Sequence, residues 1–275
     1  MRVAALHARN DSAAARCGSA AERDPGQPVA RLVRHPSFIA ATRLETVRRE
    51  CIADVSHELR TPLTVLLGFI ETVRDLRLDP RSSRDCLDLM EEQCKRMQRI
   101  IEDLLRVSTL ESAPEAPADE RVDIRVLLAR IRADAEVLSA GRHRIVLEVD
   151  DGFDLLGAER EIGSAFGNLA GNAIRYTPPG GVVRLVWRAS PKGAAFSVED
   201  TGIGIERQHI PRLTERFYRV DRDRSRQNGG TGLGLAIVKQ ALLRHQATLE
   251  IESEPGRGSR FTARFSAQRV IPVAA

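Results

Sequence analysis

Two groups of residues in this 275-residue chain have types and spacings that can carry chemistry. The first is Ser56-His57-Glu58-Leu59-Arg60-Thr61-Pro62-Leu63. A histidine with the ordinary pKa of about 6.5 is mostly neutral at neutral pH, so it keeps a ring nitrogen free to attack an electrophile. A neighbouring carboxylate such as Glu58 can bond the other ring nitrogen and take up its proton. A His-Glu pair on an isolated exposed helix is equally a piece of polar surface, so the run acquires meaning only from its surroundings.

The second group lies downstream. Asn168 and Asn172 are spaced for one helical face, with Arg175 beside them. Neutral carbonyl oxygens suit Mg²⁺, which shares phosphate oxygens and retains water, and a cation beside them suits phosphate. Asp200-Thr201-Gly202-Ile203-Gly204-Ile205 follows a strand pattern, and Gly229-Gly230-Thr231-Gly232-Leu233-Gly234-Leu235 opens a helical one. Glycines admit close backbone approach, and a glycine-rich entry to a helix offers free N–H groups to phosphate. Either glycine run alone is also compatible with a tight turn, and an Asn pair alone with structural bridging.

The elements needed to position these groups can be read from periodicity. A helical pattern runs from Leu44 to Leu76, and Pro80-Arg81-Ser82-Ser83 marks a restart. The next helix, Ser83 to Leu110, carries a heptad seam of Leu87, Met90, Cys94, Met97, Ile101, Leu104 and Ser108. A hairpin of two such helices has too little surface to bury both seams, which predicts a homodimeric four-helix bundle. Further helices are expected at Ile124–Ala140, Glu159–Tyr176 and Gly232–His245. Strands are expected at Arg144–Val149, Val182–Arg188, Ala195–Glu199, Thr248–Glu252 and Arg260–Phe265. The fold class is therefore α+β: an antiparallel helical hairpin followed by an α/β sandwich. The expected boundaries are a flexible segment at 1–43, the hairpin at 44–111, a Pro- and Ala-rich linker at 112–121, the second domain at 122–268 and a tail at 269–275.

Composition excludes several alternatives. Lys and Arg exceed Asp and Glu by only 42 to 38, too little to indicate a nucleic-acid partner. Cys17, Cys51, Cys86 and Cys94 form no Cys-x-x-Cys pair, so neither a zinc site nor a disulfide framework is indicated, and a cytoplasmic setting fits. No apolar run reaches the roughly 18 residues of a membrane span. Neither a Walker loop nor a dinucleotide-binding fingerprint is present.

The order Asn-x-x-x-Asn, Asp-x-Gly-x-Gly, Gly-x-Gly-x-Gly resembles the Bergerat nucleotide fold, and the run around His57 resembles the phosphoacceptor box of two-component sensor histidine kinases. The resemblance implies that ATP and Mg²⁺ are the cofactors, that Asp200 accepts from the adenine amino group and that Asn172 ligates the metal. It places Asn168, Arg175, Tyr176, Gly202, Gly204, Gly230, Thr231, Gly232, Leu233 and Gly234 around the nucleotide, with a flexible lid between the glycine runs. Arg175 stands where the family more often has Lys. By the same resemblance His57 is autophosphorylated with Glu58 as base, and the phosphoryl group passes to an Asp of a response regulator. Thr61 then serves dephosphorylation of that regulator. Ile210 to Asp221, with Ser225-Arg226-Gln227 and Gly229-Gly230, is most similar to the histidine kinases of phosphate regulons. Those kinases carry membrane helices and a PAS domain, whereas here Arg34-His35-Pro36-Ser37-Phe38 is followed almost at once by Leu44 to Glu50, so both regions are expected to be missing. Two other functions share part of the pattern: an ATPase of the same fold, disfavoured because Asn168 is a poor general base, and a dimeric scaffold that binds nucleotide without transfer.

Overall fold

The computed structural model describes residues 36–75, 78–112, 119–150, 152–221 and 230–273; of residues 36–52 and 54 it describes the backbone alone. The expected flexible segment therefore lies outside the described residues up to 35, as do most of the linker and the centre of the lid.

Helix α1 spans Pro36–Asp75, starting eight residues before the expected Leu44, with Pro at its first position. Proline suits that position because its fixed φ fits a helix and its missing N–H would have had no partner there. Pro62 interrupts the ladder from within: it lacks the amide that would bond the Glu58 carbonyl one turn back. Helix α2 spans Pro80–Ser112 and is capped by Asp79, whose Oδ1 accepts from the amides of Arg81 at 2.9 Å and Ser82 at 3.1 Å. Such a cap contributes about 1 kcal/mol. Leu67, Leu87 and Ile101 on the hairpin remain 52%, 57% and 45% exposed, a band of apolar surface that the single chain leaves uncovered.

The second part of the chain is a two-layer α+β body, as the patterning requires. Its elements are β1 (Glu120–Val122), α3 (Ile124–Ser139), β2 (Arg144–Val149), β3 (Phe153–Gly157), α4 (Glu159–Tyr176), β4 (Val182–Ser190), β5 (Gly193–Asp200), α5 (Gly234–Arg244), β6 (Thr248–Glu254), β7 (Gly258–Ser266) and β8 (Val270–Pro272). One sheet has the order β2-β4-β5-β7-β6, with β2 parallel to β4 and the other pairs antiparallel. A smaller antiparallel sheet has the order β1-β3-β8. β1 and β8 thus fall in stretches expected to be linker and tail, and β3 was not expected at all. All three are short, and their pairing partners lie far away in sequence.

The helices cover one face of the large sheet around Phe166, Trp187 and Phe196, all 0% exposed. The rings of Phe166 and Phe196 stack at 4.1 Å between centroids. Burial of aromatic side chains of this size contributes about 1.5–3 kcal/mol each. Along β5 the alternation Ala194, Phe196, Val198 points inward, and the same parity carries Asp200 to the helix side of the sheet. Glu199, out of step, faces outward, where Arg260 meets it at 2.8 Å and Arg184 at 3.9 Å. Exposed pairs of this kind contribute about 1 kcal/mol or less.

The hairpin packs on the second domain through α2 and α5. Val107 and Ile237, 1% and 0% exposed, share a small apolar cluster with Ala236 and Leu110. Around it Glu111 accepts from Arg216 and, at 3.2 Å, from Gln240.

Candidate functional site

Helix α4 supplies one wall of a cavity of about 640 Å³. Asn168, Asn172, Arg175 and Tyr176 all line it, as their helical spacing requires. Asn168 Nδ2 donates to the Ser164 carbonyl at 2.8 Å, which turns its Oδ1 toward α5. Asn172 Oδ1 accepts from Arg175 Nη1 at 3.2 Å. That oxygen has a second lone pair, so the group fits an oxygen-liganded Mg²⁺.

The glycines explain how α4, β5 and α5 come so close. A Cβ at Gly234 would lie 2.8 Å from Asn168 Oδ1, so only glycine lets the start of α5 meet α4 here. At Gly204 φ is +69°, and a Cβ would lie 2.0 Å from the Glu254 carbonyl oxygen. Asp200 ends β5 with Oδ1 accepting from the Gly202 amide at 2.8 Å. Burial pushes its carboxyl above the ordinary range, opposed by the amides of Gly202 and Ser259. A buried acceptor anchored to a turn is suited to reading a fixed donor such as an exocyclic amine.

Of the remaining expected nucleotide contacts, Gly204, Gly230, Thr231, Gly232 and Gly234 line the cavity together with Asp200. Gly202 and Leu233 do not. Gly202 packs against the Tyr176 carbonyl, where a Cβ would come within 2.5 Å, and Leu233 is 0% exposed in the core. Both support the wall from behind.

The two described ends of the lid are tied together. Phe217, at φ 59°, donates its amide to the Gly232 carbonyl at 2.9 Å. Arg219 donates to the Gly230 carbonyl. Tyr218 is held by His209 at 2.7 Å and lies under Arg212, whose guanidinium carbon is 4.3 Å from the ring centroid. Residues 222–229, expected to form the lid's centre, lie outside the described residues.

His57 is exposed on α1, and Thr61 Oγ1 donates to the His57 carbonyl at 3.4 Å. Neither lines the nucleotide cavity. Glu58 turns toward Arg96, at 3.6 Å, and toward Arg219, at 3.7 Å. Arg219 also lines the cavity, so one side chain joins the phosphoacceptor box to the nucleotide site. Its part in the site is not evident from sequence alone, where the Phe217-Tyr218-Arg219 run stands out only by similarity and lid position. The same holds for Asp103. Its carboxylate accepts from the Thr231 hydroxyl at 2.8 Å, fastening the hairpin to the second glycine run, and burial pushes it above the usual carboxylate range.

Comparison with known proteins agrees with this geometry. Residues 157–269 match the family described as histidine kinase-, DNA gyrase B-, and HSP90-like ATPase, and residues 47–113 match the His Kinase A phospho-acceptor domain. The phosphate regulon sensor protein PhoR of Pseudomonas aeruginosa is 52% identical over 232 residues, which cover 83% of this chain and 52% of that protein. PhoR of Haemophilus influenzae is 36% identical, over 78% of this chain and 50% of its own length. The chain thus spans about half the length of the curated relatives it matches. Full-length ShkA, solved in complex with AMPPNP, is 28% identical with a TM-score of 0.59, over 82% of this chain and 47% of that one. Among the described residues no helix is long and apolar enough to cross a membrane. The chain thus carries a His Kinase A phospho-acceptor domain followed by a histidine kinase-, DNA gyrase B-, and HSP90-like ATPase domain, and it is similar over most of its length to sensor histidine kinases.

Proposed function

We propose that the chain is an ATP-dependent protein-histidine kinase that phosphorylates His57 and passes the phosphoryl group to an aspartate of a response regulator. The observation that carries this reading is the juxtaposition at Arg219, which lines the nucleotide cavity and stands 3.7 Å from the Glu58 carboxylate, next in sequence to the acceptor histidine.

In this reading Asp200 accepts from the adenine amino group, with Gly202, Gly204 and Leu233 shaping its pocket. Tyr176 lies against the base, and Asn168, Gly230, Thr231, Gly232 and Gly234 border the phosphates. Asn172 holds Mg²⁺, which supplies neutralisation of the phosphate oxygens. Arg175 adds a fixed cation in place of the family's more common Lys. The His57 ring nitrogen attacks the γ-phosphorus in line, the bond to the bridging oxygen breaks, and ADP leaves. Glu58 takes the proton from the opposite ring nitrogen as the phosphoramidate forms. Glu58 faces Arg219 of the nucleotide domain in the described arrangement, so the transfer requires that domain to shift on the hairpin.

The exposed apolar band on the hairpin supports a homodimer, in which two hairpins cover each other. The regulator is of the phosphate-regulon type, the signal concerns phosphate starvation, and the reaction uses cytoplasmic ATP. Thr61, one turn beyond Glu58, orients water when the same regulator is dephosphorylated. Incubation with γ-labelled ATP and Mg²⁺ tests the proposal: label enters the wild-type chain and is absent from His57→Gln. Equal labelling of both chains rejects it.

A further inference from the structure

A second cavity of about 430 Å³ adjoins the nucleotide site, sharing Arg99, Arg175, Tyr176 and Ile203 with its wall. It opens between α2, the turn after α3 and the loop after α4. Its charged lining consists of Arg99, Arg142 and Arg175, with no Asp or Glu among the lining residues. This contrasts with the open sheet face, where Arg184, Arg188 and Arg260 each meet a glutamate.

The arginines come from separate elements and are partly fixed. Arg99 Nε donates to the Lys95 carbonyl at 3.2 Å. Arg142 donates to the carbonyls of Ser139 at 3.0 Å and Leu138 at 3.3 Å, at the end of α3. A guanidinium has five N–H donors, so both retain capacity for another acceptor while their orientation is held. Burial makes Arg175 less easily charged than usual, and the nearby Arg99 adds repulsion, offset by Tyr176 and Asp103. Asp103 belongs to the wall of the nucleotide cavity and not to this one. Thr177, 5% exposed, also lines the second cavity, and its hydroxyl has no hydrogen-bond partner among the described residues.

We infer that this second cavity binds a phosphate-class dianion, gripped between Arg99 of the hairpin and Arg142 and Arg175 of the nucleotide domain. Guanidinium forks match pairs of phosphate oxygens. Two sources share this chemistry: free orthophosphate, and a phosphate group of a nucleotide in the adjoining cavity that reaches the shared Arg99 and Arg175. Because the arginines straddle two parts of the chain, an occupied site ties the hairpin to the nucleotide domain. The inference goes beyond the kinase reading and does not depend on it.

The test is calorimetric titration of the full chain with sodium phosphate at constant ionic strength, without nucleotide and again with saturating ADP. Without nucleotide, binding is saturable with one site, and Arg99→Gln and Arg142→Gln each weaken it at least about tenfold. Arg142→Lys, which keeps the charge but loses the fork, falls between. Unchanged thermal melting of the variants separates loss of the site from loss of the fold. Phosphate that still binds beside ADP identifies free phosphate as the source. Displacement by ADP, with ADP weakened in Arg142→Gln by the same factor, identifies the nucleotide's own phosphate. Absence of saturable binding, or equal affinity in wild type and the Arg99→Gln/Arg142→Gln double variant, overturns the inference.

Discussion

The carboxylate of Glu58 lies 3.7 Å from the guanidinium of Arg219, a side chain only 3% exposed, and 3.6 Å from that of Arg96. These separations are ion pairs without close hydrogen bonds. They hold the proposed base of the reaction against the rim of the nucleotide site. Replacing Glu58 by Gln keeps shape and removes the charge. Autophosphorylation is expected to slow by about 100-fold or more, the usual share of a general base, with little change in nucleotide affinity. Single-turnover labelling and nucleotide titration read the two effects separately.

Asp200 has a cost built into it. Burial raises its carboxyl pKa, so between the ordinary carboxylate range and the raised folded value the folded state holds more protons than the unfolded one, and stability falls as pH rises through that window. Asp200→Asn removes the buried charge while leaving an oxygen for the Gly202 amide. Melting at pH 7 is expected to stay level or rise, while ATP-analogue affinity drops at least about tenfold. A variant that binds nucleotide normally would remove Asp200 from the adenine site.

Gly204→Ala should fail differently. Its backbone is in the left-handed region, and the added methyl would collide with the Glu254 carbonyl. Relief requires the β6–β7 turn to move, so a loss of about 1–3 kcal/mol in unfolding free energy is expected together with weakened nucleotide binding. Denaturant unfolding measures the first and titration the second.

His245 gives the fold a pH dependence of its own. The ring is 1% exposed, with Nδ1 donating to the Ala241 carbonyl at 2.7 Å and Nε2 accepting from the Ala158 amide at 3.0 Å. Burial holds its pKa below the ordinary 6.5. The unfolded chain therefore binds the proton first as pH falls, and the stability from the neutral ring is full above about 6.5 and declines toward the depressed folded value. Melting temperatures measured from pH 7.5 down to 5 should fall for the wild type and fall less steeply for His245→Gln. Equal slopes would contradict this role.

Much of this arrangement was legible in the sequence. Helix α4 brings Asn168, Asn172, Arg175 and Tyr176 to the cavity wall, and the parity of Phe196, Val198 and Asp200 along β5 fixes which face receives the carboxylate. The expected helix Glu159–Tyr176 agrees with the structure because its apolar stripe is continuous and long. β1, β3 and β8 escaped notice because strands of three to five residues have no room for a period, and their pairing is set by neighbours distant in the chain. Arg219 and Asp103 escaped for a related reason. A lone arginine near a lid and a lone aspartate on an amphipathic helix have meaning only once tertiary packing brings one to Glu58 and the other to Thr231.

The central claim is that the γ-phosphoryl group of ATP comes to rest on His57. Tandem mass spectrometry of the labelled chain, digested at neutral to basic pH to preserve phosphoramidates, tests it most directly. The account predicts one phosphorylated site, on the peptide containing His57, lost on brief acid treatment. An acid-stable phosphate on a serine, threonine or tyrosine, with the His57 peptide unmodified, would contradict it.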